Sequence, residues 1–216
     1  MVVETKKIDP YSFSNEKEIA RSFSKRFQWE MILIGVGQAT IFLSLWPLVI
    51  LDILPLWAGA IIATFCALMA YLPSHEAQHG NYSRGKASRR WIDSFVSHYT
   101  LITLMFPHHI MRATHMKHHA YTNDPDRDVD YDVASADSLI EVLIRTNQGT
   151  TKYDRFLDVF QHDKNFVKSF EKGAVVALGY RAALMILVIL FPFEALFLWW
   201  LPSKIGVMYL STFFSW

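Results

Sequence analysis

Two uncharged apolar runs constrain the fold of this chain more strongly than any other feature. Residues 31–51 and 53–73 each comprise 21 residues without a charged side chain, and only Asp52 separates them. Because an α-helix rises about 1.5 Å per residue, each run would reach about 31 Å, which matches the hydrocarbon core of a bilayer. Pro55 follows the break as a helix-start signal. A buried hairpin in a large soluble core is the alternative, but the pattern favours a transmembrane hairpin over residues 31–73.

A second apolar block, residues 173–216, predicts another hairpin. We divide it into a third span that ends near Pro192 and a fourth span that runs to the C-terminus. Alternatively, residues 193–204 lie along the membrane interface, where Trp199 and Trp200 would form an aromatic belt. The sequence therefore predicts an all-α integral membrane protein with four transmembrane helices in two hairpins and a helical region between them.

The distribution of positive charge predicts the orientation of these helices. Of the 21 Lys and Arg residues, six lie in residues 1–30 and thirteen in residues 74–172. These two segments are joined by an even number of crossings, and an excess of Lys and Arg marks the cytoplasmic side. We therefore expect a cytoplasmic N-terminal segment (1–30), a hairpin (31–73), a cytoplasmic histidine-rich region (74–172) and a second hairpin (173–216).

The composition argues against several other classes of protein. A formal net charge of +1 provides no basic surface for nucleic acid. The lone Cys66 excludes both an intramolecular disulfide and a metal site built from several thiolates. The first thirty residues are polar and charged, unlike a cleavable signal peptide.

Five histidines in residues 74–172 form two tight clusters. HEAQH contains His75 and His79, and HMKHH contains His115, His118 and His119. Residues i and i+4 share one face of a helix, and so do i and i+3, so each cluster points its imidazoles the same way. Three protein ligands and a water are the usual set for one catalytic metal. Five imidazoles therefore indicate two metal ions.

HEAQH also supports a competing interpretation. It fits the HExxH pattern of zinc proteases, in which His75 and His79 would bind zinc and Glu76 would be the general base. Such a site needs one further ligand, whereas HMKHH offers three histidines. The pair of clusters therefore favours a two-metal centre over a membrane zinc protease. A catalytically inactive membrane scaffold that retains the clusters is the third hypothesis.

The acidic segment NDPDRDVDYD follows the second cluster. Its first three aspartates imitate the start of a calcium-binding EF-hand loop, but Val129 replaces the required glycine and Ser135 the final glutamate. Calcium is therefore rejected. A carboxylate close to a histidine cluster can accept the second N–H of a ligating imidazole and fix its tautomer. Asp128 and Asp132 are the candidates for that role.

Four further histidines lie outside the two clusters. His108 and His109 follow Pro107, and one of them could approach the metals. We interpret His98 as a hydrogen-bonded structural residue and His162 as an exposed one.

With HEAQHG at the end of a membrane hairpin and HMKHHAYTNDPDRDVD after it, the chain resembles the membrane fatty-acid desaturases. That superfamily also includes carotenoid hydroxylases and ketolases, and its members have four spans and cytoplasmic histidine boxes. By this resemblance, His75 and His79 correspond to the first box, and His115, His118 and His119 to the second.

The resemblance implies a non-haem di-iron centre with two iron ions and O2 as co-substrate. It also implies a lipid or fatty-acyl substrate, and an electron donor of the ferredoxin, rubredoxin or cytochrome b5 type. Desaturation is the leading expectation, with hydroxylation or ketolation as the alternative. We expect a multi-pass protein of a bacterial inner membrane rather than of the endoplasmic reticulum.

The sequence departs from the family pattern in one respect. Members have a third histidine box after the fourth span, whereas no third cluster precedes Trp216. Five imidazoles are few for two irons that must also leave room for O2. We therefore expect either a fragment of a longer protein, with further ligands after Trp216, or a degenerate member that need not turn over as it stands.

Overall fold

The computed structural model describes residues 27–147 and 156–215, so the predicted segment 1–30 lies mostly outside the described residues. The described residues contain helices and no β-strand, as the sequence predicts. In chain order the main elements are α1 (Trp29–Ile50), α2 (Leu56–Met69), α3 (Tyr71–Gln78), α4 (Arg90–Leu101), α5 (His108–Tyr121), α6 (Tyr131–Ala134), α7 (Leu139–Asn147), a single turn at 156–159, α8 (Lys164–Leu190), α9 (Pro192–Glu194), the π-helix π1 (Ala195–Trp200), α10 (Leu201–Leu210) and the π-helix π2 (Ser211–Ser215).

Within the described residues, three helices are long and apolar enough to cross a membrane. They are α1, the continuous rod Leu56–Gln78 formed by α2 and α3, and α8. All three expose large apolar side chains, which a water-soluble protein would bury and which lipid would cover here. Leu33, Trp57, Phe65, Val175 and Ile189 are examples, each more than half exposed.

The break between the first two spans lies where the sequence predicts it. Asp52 adopts a left-handed backbone conformation with φ 56°. The main-chain N–H groups of Ile53 and Leu54 both donate to the carbonyl of Leu48, at 2.9 and 3.0 Å, which closes the turn. Pro55 then precedes α2 in an extended conformation. Its ring fixes φ at −65°, a value that suits the start of a helix.

The region predicted as the fourth span is helical but divided. The long helix α8 ends at Leu190, and Pro192 begins a series of α-helical and π-helical segments that continues to Ser215. Trp199 is buried and its indole N–H donates to the carbonyl of Ile102 at 2.9 Å. Trp199 therefore packs inside the protein rather than in an aromatic belt facing lipid.

The C-terminal helix α10 packs against the second span through a small residue. In α10, a Cβ added at Gly206 would lie 2.6 Å from Leu104 and 3.2 Å from Ala67, so only glycine permits this approach. The Ser203 hydroxyl donates to the carbonyl of Leu104 at 3.0 Å. These contacts fix the C-terminal helix against α2 and the segment that leads into α5.

Candidate metal centre

Four histidine side chains converge from two helices. His75 lies in the last turn of α3 and His79 directly at its end, while His115 and His119 lie one turn apart on α5. The Nε2 atom of His115 lies 2.9 Å from Nε2 of His79 and 3.1 Å from Nε2 of His119. The ligand nitrogens of all four residues lie within 4.8 Å of one another, which is the geometry of a candidate metal site.

A buried polar network holds the end of α3 in place. The side-chain amide of Gln78 donates to the Ser74 hydroxyl at 3.0 Å, and that hydroxyl lies 2.8 Å from the Ser97 hydroxyl on α4. Arg112 on α5 donates through Nε to the carbonyl of Gln78 at 3.0 Å. Because Gln78 stands between the two histidines of HEAQH, these bonds fix the relative positions of α3, α4 and α5.

The surroundings favour the neutral form of three of the converging imidazoles, those of His79, His115 and His119. Burial, followed by the neighbouring imidazoles His75 and His119, lowers the pKa of His115 to about 3. Burial is also the largest cause that lowers the pKa of His79 and of His119, with nearby imidazoles adding to it. Only a neutral imidazole has a lone pair for a metal ion. The set therefore suits a transition metal, which prefers nitrogen ligands.

His118 lies beside this group and has a different partner. Its Nδ1 atom is 2.7 Å from a carboxylate oxygen of Asp128, which is almost fully buried at 1% exposure. The main-chain N–H groups of Asn123 and Asp130 also donate to that carboxylate, at 2.8 and 2.9 Å. Asp128 is thereby held in one orientation, and it leaves Nε2 of His118 available.

Asp132 is placed differently from Asp128. It lies in the short helix α6, and its main-chain carbonyl accepts a hydrogen bond from the Arg145 guanidinium. Of the two aspartates proposed from the sequence, Asp128 is the one whose carboxylate contacts a histidine of HMKHH.

A cavity of about 280 Å³ opens next to the histidines. His115, His118 and His119 form one wall, and the remaining walls are mainly apolar. Its apolar and aromatic lining comes from the end of the second span, the segment before α5, α5 itself and α10, and includes Tyr71, Phe106, Met111, Val207 and Leu210. Asp130, Arg145 and Thr146 add polar groups to the lining. An apolar chain could therefore lie along the apolar walls, against the histidines.

Comparison with known proteins agrees with this arrangement. The family model described as fatty acid desaturase matches residues 51–216, a range that includes all five histidines of the two clusters. The chain belongs to the fatty acid desaturase family.

Three curated relatives carry the name sn-1 oleoyl-lipid 12-desaturase. The protein of Picosynechococcus sp. is 29% identical over 46% of this chain and 27% of its own length. Those of Anabaena variabilis and Arthrospira platensis are 28% and 26% identical, each over 45% of this chain and 25% of its own length. The aligned part thus spans about a quarter of the length of these relatives. No solved structure gives a significant match.

In this desaturase-family protein, Glu76 does not have the surroundings of a protease base. Its carboxylate accepts a hydrogen bond from Asn81 at 2.6 Å and lies 3.5 Å from Nδ1 of His75. Membership of the fatty acid desaturase family therefore argues against the zinc-protease interpretation of HEAQH.

The histidines outside the two clusters form a group that the sequence did not reveal. His98, His108 and His109 bring their ligand nitrogens within 4.8 Å of one another, in a group separate from the first. His98, for which the sequence predicts a hydrogen-bonded structural role, belongs to this group, and no hydrogen bond to its ring occurs within the described residues. His98 lies ten residues before the adjacent pair His108 and His109, which is not a helical spacing, so no pattern indicated their convergence. His162 is exposed, as predicted.

Proposed function

We propose that this protein is an O2-dependent desaturase that inserts a double bond into a lipid acyl chain. The observation that carries the proposal is the convergence of four imidazoles from HEAQH and HMKHH beside a cavity with apolar walls. Membership of the fatty acid desaturase family supports it, and so do relatives named as oleoyl-lipid desaturases. A membrane-embedded acyl chain is the substrate that such a cavity suits.

The metal we propose is iron, with two ions in the working centre. His75, His79, His115 and His119 provide a complete set for one ion. His118, whose Nδ1 is fixed by Asp128, is the proposed ligand of a second ion, which needs further ligands besides His118. Imidazole nitrogen binds both iron and zinc, so the choice of iron rests on the family. When bound, the iron supplies the activation of O2 and the removal of hydrogen from the substrate.

The protein's own residues would hold and orient the participants. Asp128 accepts a hydrogen bond from the Nδ1–H group of His118, which fixes the tautomer and directs Nε2 towards a metal. Phe106, Met111 and Leu210 form apolar walls of the cavity and exclude water from the carbon that reacts. The position of an acyl chain along these walls would determine which carbon lies next to the histidines.

We further propose that the histidines lie at the cytoplasmic face of a bacterial inner membrane. The second span ends at Gln78, so the centre lies where the chain leaves the apolar layer. The helical series from Pro192 to Ser215 would serve as the fourth span. A donor of the ferredoxin, rubredoxin or cytochrome b5 type would then reach the centre from the cytoplasm.

Expression in a bacterial host whose lipids contain oleoyl chains but no dienes tests the proposed activity. Gas chromatography of the fatty-acid methyl esters should show a new diene with the wild-type protein and none with His79→Ala. The exposed histidine variant His162→Ala is the matched control and should behave like the wild type. An oxygenated fatty acid in place of the diene would assign hydroxylation instead. Identical lipids with and without the protein would contradict an enzymatic role.

A further inference from the structure

The second histidine group lies at the corner between α4 and α5. His98 is in the last turn of α4, and His108 and His109 begin α5. The ring centroid of His98 lies 4.8 Å from that of His108 and 5.0 Å from that of His109. The centroids of His108 and His109 are 5.4 Å apart. Met105, with a left-handed φ of 56°, turns the chain between the two helices and brings the rings together.

The buried member of this group has the outer partner that metal-binding histidines require. His108 is 6% exposed, and its Nδ1 atom lies 2.6 Å from the Ser97 hydroxyl. Ligating histidines almost always use their second ring nitrogen in such a bond, which fixes the ring and the tautomer. Since Nδ1 of His108 is occupied, Nε2 is the nitrogen that is free to bind.

The other two imidazoles have unused ring nitrogens. In residues 27–147 and 156–215, neither His98 nor His109 has a hydrogen bond to its ring, in contrast to the four-histidine centre. Two cations lie near the group. After burial, which is the largest cause, the charge of Arg112 contributes to the lowered pKa of His108 and that of Lys172 to the lowered pKa of His109. The Nε of Arg112 donates to the carbonyl of Gln78. Among the described residues, the group contains three imidazoles and no carboxylate.

We propose that His98, His108 and His109 bind one divalent transition-metal ion of the Zn²⁺ class, at a site separate from the four-histidine centre. Three imidazoles with an open fourth position for water form a known zinc ligand set. The bound ion would join α4 to α5. Because Ser97 contacts both His108 and Ser74, which in turn contacts Gln78, the ion would also stabilise the end of α3. The proposal does not depend on the desaturase activity.

The test uses the full chain, purified in detergent and freed of metal, in a variant in which His75, His79, His115 and His119 are all alanine. We expect this variant to bind one equivalent of Co²⁺, with the visible absorption of a nitrogen-ligated tetrahedral ion. Adding His98→Ala and His109→Ala should abolish that binding. Adding His162→Ala instead, at an exposed position, should leave it unchanged. Binding that survives the loss of His98 and His109, or its absence from the starting variant while the helical circular dichroism is retained, would overturn the proposal.

A second measurement covers the case in which the multiple variant fails to fold. In the otherwise intact protein, His109→Gln should lower the zinc content by one ion per chain and leave the iron content unchanged. If elemental analysis finds the same zinc content in His109→Gln and in the wild type, the proposed site does not exist.

Discussion

At the scale of single residues, the contact between Asp128 and His118 is the most important feature of the proposed two-iron centre. The carboxylate of Asp128 is buried, accepts two main-chain N–H groups and lies 2.7 Å from Nδ1 of His118. A side chain held in this way cannot turn aside, so it can impose both the tautomer and the orientation of the imidazole. Among the histidines of HMKHH, His118 is the one whose ring lies within hydrogen-bond distance of a carboxylate in the described structure.

The Asp128→Asn variant tests this role. Because an amide is a weaker acceptor than a carboxylate and carries no charge, we expect metal affinity to fall about 10- to 100-fold. Competition with a chromophoric chelator measures the affinity. The exposed aspartate variant Asp126→Asn is the control and should retain the affinity of the wild type. Equal affinities for the two variants would show that Asp128 does not act through the centre.

The sequence could predict part of this residue-scale arrangement. The i, i+4 spacing indicated that His75 and His79, and likewise His115 and His119, would each share a helix face. It could not separate His118 from His119, since positions i+3 and i+4 both face the same way. The separation arises from the buried Asp128, whose position depends on the loop fold and not on sequence spacing.

At the scale of the elements, α8 and α5 approach each other very closely. A Cβ added at Gly173 in α8 would clash with the Ile110 side chain and lie 3.0 Å from the main-chain nitrogen of Ile110. Gly179, on the same helix, has nothing within 4 Å of such a Cβ. The approach fixes the start of α5, which carries the second histidine group.

The pair of variants Gly173→Ala and Gly179→Ala measures the importance of this contact. We expect Gly173→Ala to lower the free energy of unfolding by about 1–3 kcal/mol, because the helices must separate or Ile110 must move. Gly179→Ala should be neutral or stabilise by about 0.5–1 kcal/mol, because alanine favours a helix. Thermal unfolding in detergent gives both values. A Gly173→Ala protein as stable as Gly179→Ala would mean that α5 and α8 do not meet as described.

The N-terminus of α8 should make stability depend on pH. Asp163 caps the helix by accepting from the main-chain N–H groups of Asn165 and Phe166, and Lys117 on α5 donates to it at 2.8 Å. The Lys117 hydrogen bond is the largest cause that lowers the pKa of Asp163. A carboxylate with a lowered pKa stabilises the fold above its unfolded pKa of about 3.9, and this stabilisation is lost as the pH falls through the folded value.

Unfolding experiments at decreasing pH test that dependence. The Asp163→Asn variant keeps a capping side chain but carries no charge, so it should lose less stability than the wild type as the pH falls below about 4. The exposed variant Asp158→Asn serves as the control and should follow the wild type. If Asp163→Asn and the wild type lose stability in parallel, the contact between α5 and the start of α8 contributes no pH-dependent stability.

At the scale of the whole molecule, apolar length determines most of what the sequence could predict. The two uncharged runs on either side of Asp52 indicated the first two spans, and the described structure has helices Trp29–Ile50 and Leu56–Gln78 there. The fourth span was harder to predict. Pro192 and Pro202 interrupt the regular main-chain hydrogen bonding, so the region from Pro192 to Ser215 divides into α-helical and π-helical segments.

Sidedness is testable with single cysteines. In a Cys66→Ala background, Lys86→Cys lies in the exposed loop after α3 and Ile53→Cys in the exposed turn between the first two spans. A membrane-impermeant maleimide should label Ile53→Cys in intact spheroplasts and Lys86→Cys only after the membrane is opened, because positively charged loops stay in the cytoplasm. The reverse pattern would place the histidines on the outer face.

Iron content tests most directly whether the imidazoles of HEAQH and HMKHH together hold the iron of a lipid desaturase. Elemental analysis of the detergent-purified protein should find iron in the wild type and in His162→Ala, and at least tenfold less in His115→Ala, because His115 lies between the nitrogens of His79 and His119. An iron content that His115→Ala leaves unchanged, or zinc in place of iron at this centre, would contradict the claim.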